Sequence, residues 1–170
     1  IEFSNKNYIK NNNIENNKYH GITIRYSTEN EVTGNSIVNN YNAGIRIDHD
    51  AENLLIKNNL IRGGMRGISL FGQEKDVTIE YNTIVENEVG LEVSTLSNNL
   101  KIEYNNIYGN TENDLQNNQI ESLIIEDNYW CSTNSDEIET KIWGMGSVDF
   151  TPFLDEPVED APLYPCVIKS

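Results

Sequence analysis

A repeat of about 23 residues runs through most of this 170-residue chain and constrains its fold more than any other feature. Four Gly-aliphatic-x-aliphatic segments have their glycines 23 residues apart, at Gly21, Gly44, Gly67 and Gly90. An Asn-x-aliphatic series keeps the same spacing except for one interval of 24. Its asparagines are Asn12, Asn35, Asn59, Asn82, Asn105 and Asn128. A repeat this regular predicts coils that stack on one another and bury a continuous core.

Within each coil the hydrophobic period is two, which is typical of strands with one buried face. Ile45 and Ile47 alternate with Arg46 and Asp48. A third apolar series precedes each repeat asparagine by three residues, at Ile9, Val32, Ile56, Ile79, Ile102 and Ile125. Each coil is therefore expected to hold three short strands, stacked in parallel on the next coil at about 4.8 Å. The prediction is an all-β parallel solenoid of about six coils.

Asparagine is unusually abundant, with 27 residues in the chain. It is a poor helix former that favours turns and left-handed backbone. We interpret the repeat asparagines as a ladder at an inward corner, where each side-chain amide bonds to the next coil. The repeat glycines fit a second corner that needs either a positive φ or a close approach of two backbones.

The formal net charge of −15 excludes some classes of partner. Such a field repels nucleic acid and anionic lipid, and no basic patch offsets it. The chain also has no apolar run near the roughly 18–20 residues that span a bilayer. We therefore expect no nucleic-acid partner and no membrane insertion.

The pattern Asn-x-Ile-x-x-Asn…Gly-Ile-x-Ile over residues 1–130 resembles the parallel β-helix repeats of the pectin-lyase-like superfamily. The resemblance is to the branch that contains copper-protein maturation-factor-like, carbohydrate-binding and sugar-hydrolase proteins. It implies a right-handed β-helix and polysaccharide binding along a solenoid groove. The superfamily hosts lyases, hydrolases, epimerases and proteins with no known reaction, so fold alone does not decide activity.

Two segments follow from this organisation: β-helix coils over residues 1–130 and a capping segment over 131–170. Projected backwards, the repeat places Ile1 inside a strand, so we expect earlier coils of a longer chain to lie against this edge. Residues 134–143 suit one or two helical turns, with Asn134 or Ser135 as the N-cap. The tail from Pro152 to Pro165 is expected to run extended across the last coil. The terminal stretch also resembles the closing segment of secreted β-helix proteins.

Cys131 and Cys166 are the two cysteines of the chain, and both fall in the capping segment. We predict one disulfide that pins the tail, the alternative being two buried free thiols. A disulfide indicates an oxidising compartment, so the predicted location is secreted or cell envelope.

Candidate ligand-binding residues emerge when the outward positions are stacked by the repeat. The set is Arg25, Tyr26, Arg46, Asp48, His49, Arg66 and Phe71. Guanidinium groups suit uronate carboxylates, and an aromatic ring can stack on a sugar. The alternative is a solvated face with Arg25–Asp48 and Arg46–Glu92 ion pairs between coils.

No catalytic residues and no metal or cofactor are predicted, apart from possible Ca²⁺ at Asp48 and Asp50. Asp48-His49-Asp50 is the one compact candidate for acid–base chemistry, and facing carboxylate pairs are not evident. The predicted function is a carbohydrate-binding, non-catalytic segment of a larger secreted protein. The alternatives are a structural or adhesive spacer, or part of a polysaccharide lyase, hydrolase or epimerase whose site lies in missing coils. Ice binding is disfavoured because the outward series are chemically mixed.

Overall fold

Three parallel sheets form the body of the protein, and each coil adds one strand to each sheet. The structure, a computed structural model, describes residues 1–94 and 98–167. Sheet 1 contains β1 (Tyr8–Lys10), β4 (Glu31–Thr33), β7 (Glu52–Lys57), β10 (Lys75–Glu80) and β13 (Asn98–Glu103). Sheet 2 contains β2 (Asn13–Glu15), β5 (Ser36–Val38), β8 (Leu60–Arg62), β11 (Thr83–Val85) and β14 (Asn106–Tyr108).

Sheet 3 is the longest, and its outer face carries the candidate residues. It contains β3 (Ile22–Arg25), β6 (Ala43–Asp48), β9 (Arg66–Phe71), β12 (Val89–Val93), β15 (Asn113–Asn117) and β17 (Ile142–Gly144). A small fourth sheet pairs β16 (Leu123–Ile124) with β18 (Val148–Asp149), again in parallel. The parallel solenoid of about six coils predicted from the repeat is confirmed.

The register of the sheets follows the sequence repeat, so aliphatic side chains stack on their equivalents. Ile22 pairs with Ile45, and Ile45 pairs with Ile68. Ile24, Ile47 and their equivalents in the other coils are fully buried and form one continuous core. A single coil could not bury these faces, so each coil depends on its neighbours for stability.

The asparagine ladder occupies an inward corner between sheets 1 and 2. The backbone N–H and Nδ2 of each rung both donate to Oδ1 of the next rung, at 2.9–3.1 Å. Nδ2 of Asn82 also donates to the carbonyl oxygen of Ile56 in the preceding coil, at 2.9 Å. The rungs are buried, except for Asn12 in the first coil, which is exposed.

The residue before each rung explains why so many corners carry asparagine. These residues have left-handed backbone with φ between 54° and 68°, and they are Asn11, Gly34, Asn58, Tyr81, Tyr104 and Asp127. Asn and Gly adopt this conformation at least cost. The repeat glycines at Gly21, Gly44, Gly67 and Gly90 are not among the left-handed residues. A Cβ on Gly67 would lie 2.5 Å from both the carbonyl oxygen of Gly90 and Cγ2 of Ile84, so close approach is what excludes a side chain there.

A second ladder, between sheets 2 and 3, was not predicted. Asn17 bonds to Asn40, and further along Gly64, Asn87 and Asn110 continue the series, each donating to Oδ1 of the next rung. Gly64 has no side-chain amide, so it breaks the series in the third coil. At the far end, the N–H and Nδ2 of Asn110 donate to Oδ1 of Asp114 at 3.0 and 2.8 Å. Asp114 thus takes the acceptor position that a further asparagine would otherwise hold.

The capping segment begins with the predicted helical turn. Helix α1 spans Ser135–Glu139, and Oδ1 of its N-cap Asn134 accepts from the N–H of Asp136 at 3.0 Å. Phe150 and Phe153 then pack against the end of the core beside Trp130. Among the described residues, no helix is long and apolar enough to cross a membrane.

The tail first follows the predicted path across the last coil, where Leu154 pairs with Tyr129, and then departs from it. Residues 158–166 lie over the outer face of sheet 2, where the carbonyl oxygens of Asp160 and Tyr164 accept from Asn58 Nδ2 and Tyr108 Oη. The reason is that this face carries apolar groups, including Val85 and Tyr108, which the tail covers. The disulfide between Cys131 and Cys166 closes the tail at its end, with the two Cα atoms 5.8 Å apart. Residues 168–170 of the expected cap lie outside the described residues.

Burial raises the pKa of Asp114 from 3.8 to about 6, against the opposing effects of the Asn110 hydrogen bonds and Lys141. At a pH between 3.8 and about 6, the folded protein keeps a proton on Asp114 that the unfolded chain releases. The contribution of this carboxyl group to the free energy of unfolding is therefore present below pH 3.8 and is lost as the pH rises through 6. Asparagine can accept the same two bonds without a charge. We expect Asp114→Asn to increase the free energy of unfolding at pH 7 by about 1–2 kcal/mol and to change it little at pH 3.5.

Urea unfolding of both proteins across this pH range measures the difference directly. Asp155→Asn, at an exposed carboxylate of the tail, is the matched control and is expected to have little effect at either pH. A difference between the Asp114→Asn variant and the parent that stays constant from pH 3.5 to pH 7 would contradict the account.

Candidate functional site

All seven candidate residues lie on sheet 3 or in the turn that follows its strands. Arg25 ends β3, and Arg46 and Asp48 lie in β6. Arg66 and Phe71 begin and end β9. The register places Arg25 beside Asp48, and Asp48 beside Phe71. Tyr26 and His49 follow β3 and β6, with the N–H of Tyr26 donating to the carbonyl oxygen of His49 at 2.8 Å. The outward side chains predicted to cluster therefore share one face of the solenoid.

Each of the three arginines has a carboxylate partner. Arg25 bonds to Glu2 at 2.9 Å, Arg46 lies 3.5 Å from Asp48, and Arg66 lies 2.6 Å from Glu92. The Arg25–Asp48 and Arg46–Glu92 pairs considered from the sequence are wrong. Asp48 is two residues beyond Arg46 on the same face of the same strand, whereas Arg66 reaches Glu92 from the adjoining coil.

A largely buried polar network connects four coils beneath this face. The Glu92 side chain is only 7% exposed, and it accepts from Ser69 Oγ at 2.7 Å and from Asn118 Nδ2 at 3.2 Å. Arg46 Nη1 donates to the same Ser69 hydroxyl at 3.1 Å. With the Arg66 ion pair, these contacts fix the side chains in one arrangement.

Aromatic rings flank the network and remain accessible. Phe71 is 48% exposed, and the Arg46 guanidinium lies 4.3 Å from its ring centroid. Phe3, Tyr26 and His49 form a continuous stack with centroid separations of 4.9 and 5.2 Å. Phe3 was not identified from the sequence, although it precedes Tyr26 by the 23-residue repeat. Trp143 was also missed; it continues the outward series of sheet 3 and is 46% exposed.

His20 is a further polar group of this region. Burial lowers its pKa, the Arg46 charge lowers it further, and the charge of Asp48 acts in the opposite direction. The imidazole is therefore neutral at pH 7. Its buried Nδ1 has no hydrogen-bond partner within the described part of the chain.

The carboxylates of this face lie closer to arginine side chains than to the imidazole of His49. Asp48 Oδ1 lies 3.9 Å from His49 Nε2, beyond hydrogen-bond distance, and the Arg46 guanidinium is closer. Glu92 is held by Arg66 and Ser69. Over residues 1–94 and 98–167, no three His, Cys, Asp or Glu side chains form a metal-binding group. Ca²⁺ at Asp48 and Asp50 stays a prediction.

An open groove of about 720 Å³ lies at the corner between sheets 2 and 3. Gly63 and Gly64 line it, together with Asn39 and Glu86 of the adjoining coils. Tyr41, which is 70% exposed, lines the groove. The sequence signal was the Gly63-Gly64 pair, which follows the repeat asparagine Asn59.

We expect the buried and the exposed ion pairs to differ in stability. Glu92→Gln keeps an acceptor for Ser69 but removes a charge that is almost fully buried against Arg66. It should lower the free energy of unfolding by about 1–3 kcal/mol. Glu2→Gln, at the exposed pair with Arg25, is the matched control and should change it by less than about 1 kcal/mol. Equal effects of the two substitutions in urea unfolding would show that Glu92 is not held in the network.

A comparison with family models matches residues 1–129 to the model described as right handed beta helix region. Comparison with curated proteins gives no significant match, and neither does comparison with solved structures. The matched segment contains every strand of sheets 1 and 2 and the first five strands of sheet 3, and it ends just before the capping segment. The chain belongs to the right-handed β-helix family.

Proposed function

We propose that the outer face of sheet 3 binds carbohydrate and that this chain does so without catalysis. The observation that carries the proposal is the pairing of exposed aromatic rings with a fixed polar network. Phe71 and the stack of Phe3, Tyr26 and His49 border side chains that are already held by hydrogen bonds between coils. A rigid face of this kind loses little conformational entropy when a ligand binds.

Sugar rings are suited to such a face because they present an apolar C–H side together with hydroxyl groups at the edge. Phe71 and Phe3, the outermost ring of the stack, offer exposed aromatic surface for the C–H side. Arg46, Asp48 and His49 offer donors and acceptors for hydroxyls. Because the coils stack in parallel, stacking and hydrogen-bonding groups recur along the solenoid. An extended saccharide can therefore make several weak contacts at once.

The ion pairs favour a neutral saccharide over a uronate polymer. The sequence led us to expect that Arg25, Arg46 and Arg66 would engage substrate carboxylates. Each has an acidic partner, so its charge is largely compensated. The net charge of −15 adds repulsion for an acidic polymer. Binding of a neutral saccharide should therefore depend little on salt concentration.

A structural spacer is the second candidate function. The same ion pairs favour it, because the polar groups of sheet 3 satisfy one another and need no ligand. A regular solenoid held by two ladders is also stiff enough to act as a spacer. Binding measurements separate the two functions.

We place the protein in an oxidising compartment, secreted or in the cell envelope. The support is the Cys131–Cys166 disulfide, which pins the tail to the last coil. Alkylation of the native protein without reductant tests this placement. Two freely modified thiols would contradict it.

The carbohydrate proposal is tested with an array of neutral and uronate oligosaccharides, followed by calorimetric titration of the strongest binder. Phe71→Ala and Tyr26→Ala should each weaken binding by about three- to tenfold, because the first removes an exposed stacking ring and the second breaks the stack that holds Phe3 and His49. Tyr8→Ala, at an exposed aromatic residue of sheet 1, is the matched control and should leave affinity unchanged. Absence of binding to every glycan would favour the spacer, and binding unaffected by both substitutions would exclude this face.

A further inference from the structure

A second, partly open cavity lies away from the outer face of sheet 3, between the last coils and the capping segment. This cavity has a volume of about 570 Å³, within the range of roughly 300–1,000 Å³ that is usual for small-molecule sites. Tyr108 of β14 and Trp130 form part of its wall, Ile138 of α1 contributes another part, and Tyr164 of the tail closes it.

Trp130 brings an unsatisfied hydrogen-bond donor to this wall. The residue is 4% exposed, and its indole Nε1 has no hydrogen-bond partner in the described chain. One side of the ring system packs edge-to-face with Phe150 of the core. A buried N–H without an acceptor is unfavourable, so a ligand oxygen in the cavity would supply the missing partner.

Lys141 brings a second donor. Its Nζ donates to the carbonyl oxygen of Asn110 at 3.2 Å, which uses one of its three N–H groups. Among the basic side chains in the described residues, only Lys18 and Lys141 have no carboxylate within ion-pair distance. An ammonium group that lines a cavity without such a partner retains donors for a ligand.

Acceptors in the lining balance these donors. Asp114 and Glu137 contribute carboxylates, and the charge of Lys141 acts on Asp114. Two carboxylates against one ammonium, in a chain of net charge −15, disfavour an anionic ligand. Hydroxyl groups, which both donate and accept, match this mixed set. The apolar lining from Val85 and Ile138 suits the C–H face of a ring.

We propose that this cavity is a binding site for a neutral, hydroxyl-bearing ring, of the size of one sugar residue. Trp130 Nε1 and Lys141 Nζ donate to its oxygens, while Asp114 and Glu137 accept from its hydroxyls. The site lies apart from the outer face of sheet 3 and does not depend on the function proposed for that face. Tyr164 and Pro165 belong to the tail that the disulfide pins, so an intact Cys131–Cys166 bond is a condition for the closed site.

The two tryptophans of the chain allow the cavity and the far end of sheet 3 to be observed separately. In a Trp143→Phe variant, Trp130 is the only tryptophan and its fluorescence reports on the cavity. In a Trp130→Phe variant, Trp143 reports on the end of sheet 3. We titrate both with neutral monosaccharides and disaccharides, including hexoses and N-acetylhexosamines, with the disulfide intact.

The expected result is a saturable change in Trp130 emission for at least one sugar. In the Trp143→Phe background, Lys141→Met should weaken this response at least about tenfold, since it removes a donor but keeps the aliphatic stem. Lys18→Met, at the other lysine without an ion pair, should leave the response unchanged. Reduction of the disulfide should also weaken it, because the tail that closes the cavity is released.

No Trp130 response to any neutral sugar would overturn the proposal, as would an equal response in the Lys141→Met variant. A response to acetate or to an alkylamine but not to sugars would overturn the assigned ligand class. Glycan binding that is lost with Phe71→Ala while the Trp130 response persists would show that the two sites are independent. Equal thermal unfolding of the Lys141→Met and Lys18→Met variants checks that folding is not the cause.

Discussion

The hydrogen bond from one asparagine side chain to the next is the interaction on which the rest of the structure depends. Each coil bends sharply at a left-handed residue, and such a bend leaves backbone groups that a strand ladder cannot satisfy. A buried asparagine at the next position satisfies such groups: the Asn82 side chain accepts from the N–H of Asn59 and donates to the carbonyl of Ile56 in the preceding coil, and it also donates to Oδ1 of Asn105 in the next coil. The amide has both a donor and an acceptor, so the same residue type can repeat without limit along the stack.

This constraint sets the register of all three sheets, and through them the arrangement of the outer face. Asn59 is hydrogen-bonded to Asn82, so Ile61, two residues later, pairs with Ile84 in sheet 2. The strands of sheet 3 then pair in the same 23-residue register. Side chains 23 residues apart therefore lie side by side, which aligns Ser69 with Glu92 and stacks Tyr26 on His49. The exposed rings and polar groups of the proposed saccharide face are rigid for the same reason.

The features that repeat were predictable from the sequence, and those that break the repeat were not. Strand positions, buried aliphatic residues and the first ladder all follow from spacing. The second ladder was hidden because Gly64 interrupts it and Asp114 ends it out of register. The arginine partners depend on side-chain length and rotamer, so spacing alone assigned Arg46 to the wrong carboxylate. The tail is held over sheet 2 by contacts between residues far apart in sequence, such as Asn58 and Asp160, and no local pattern encodes them. The cavity beside Trp130 also depends on such long-range contacts, because its wall combines β14, α1 and the tail.

Substitution in the middle of the first ladder tests the central claim most directly. Asn82→Ala removes the side-chain partner of the Asn59 N–H and of the Ile56 carbonyl, and Oδ1 of Asn105 keeps only the backbone N–H of residue 82 as a donor. The account predicts that the free energy of unfolding in urea falls by about 1–3 kcal/mol. The same change at Asn13, an exposed asparagine outside the ladder, should have little effect. An Asn82→Ala variant as stable as the parent would contradict the claim that the ladder holds the coils in register.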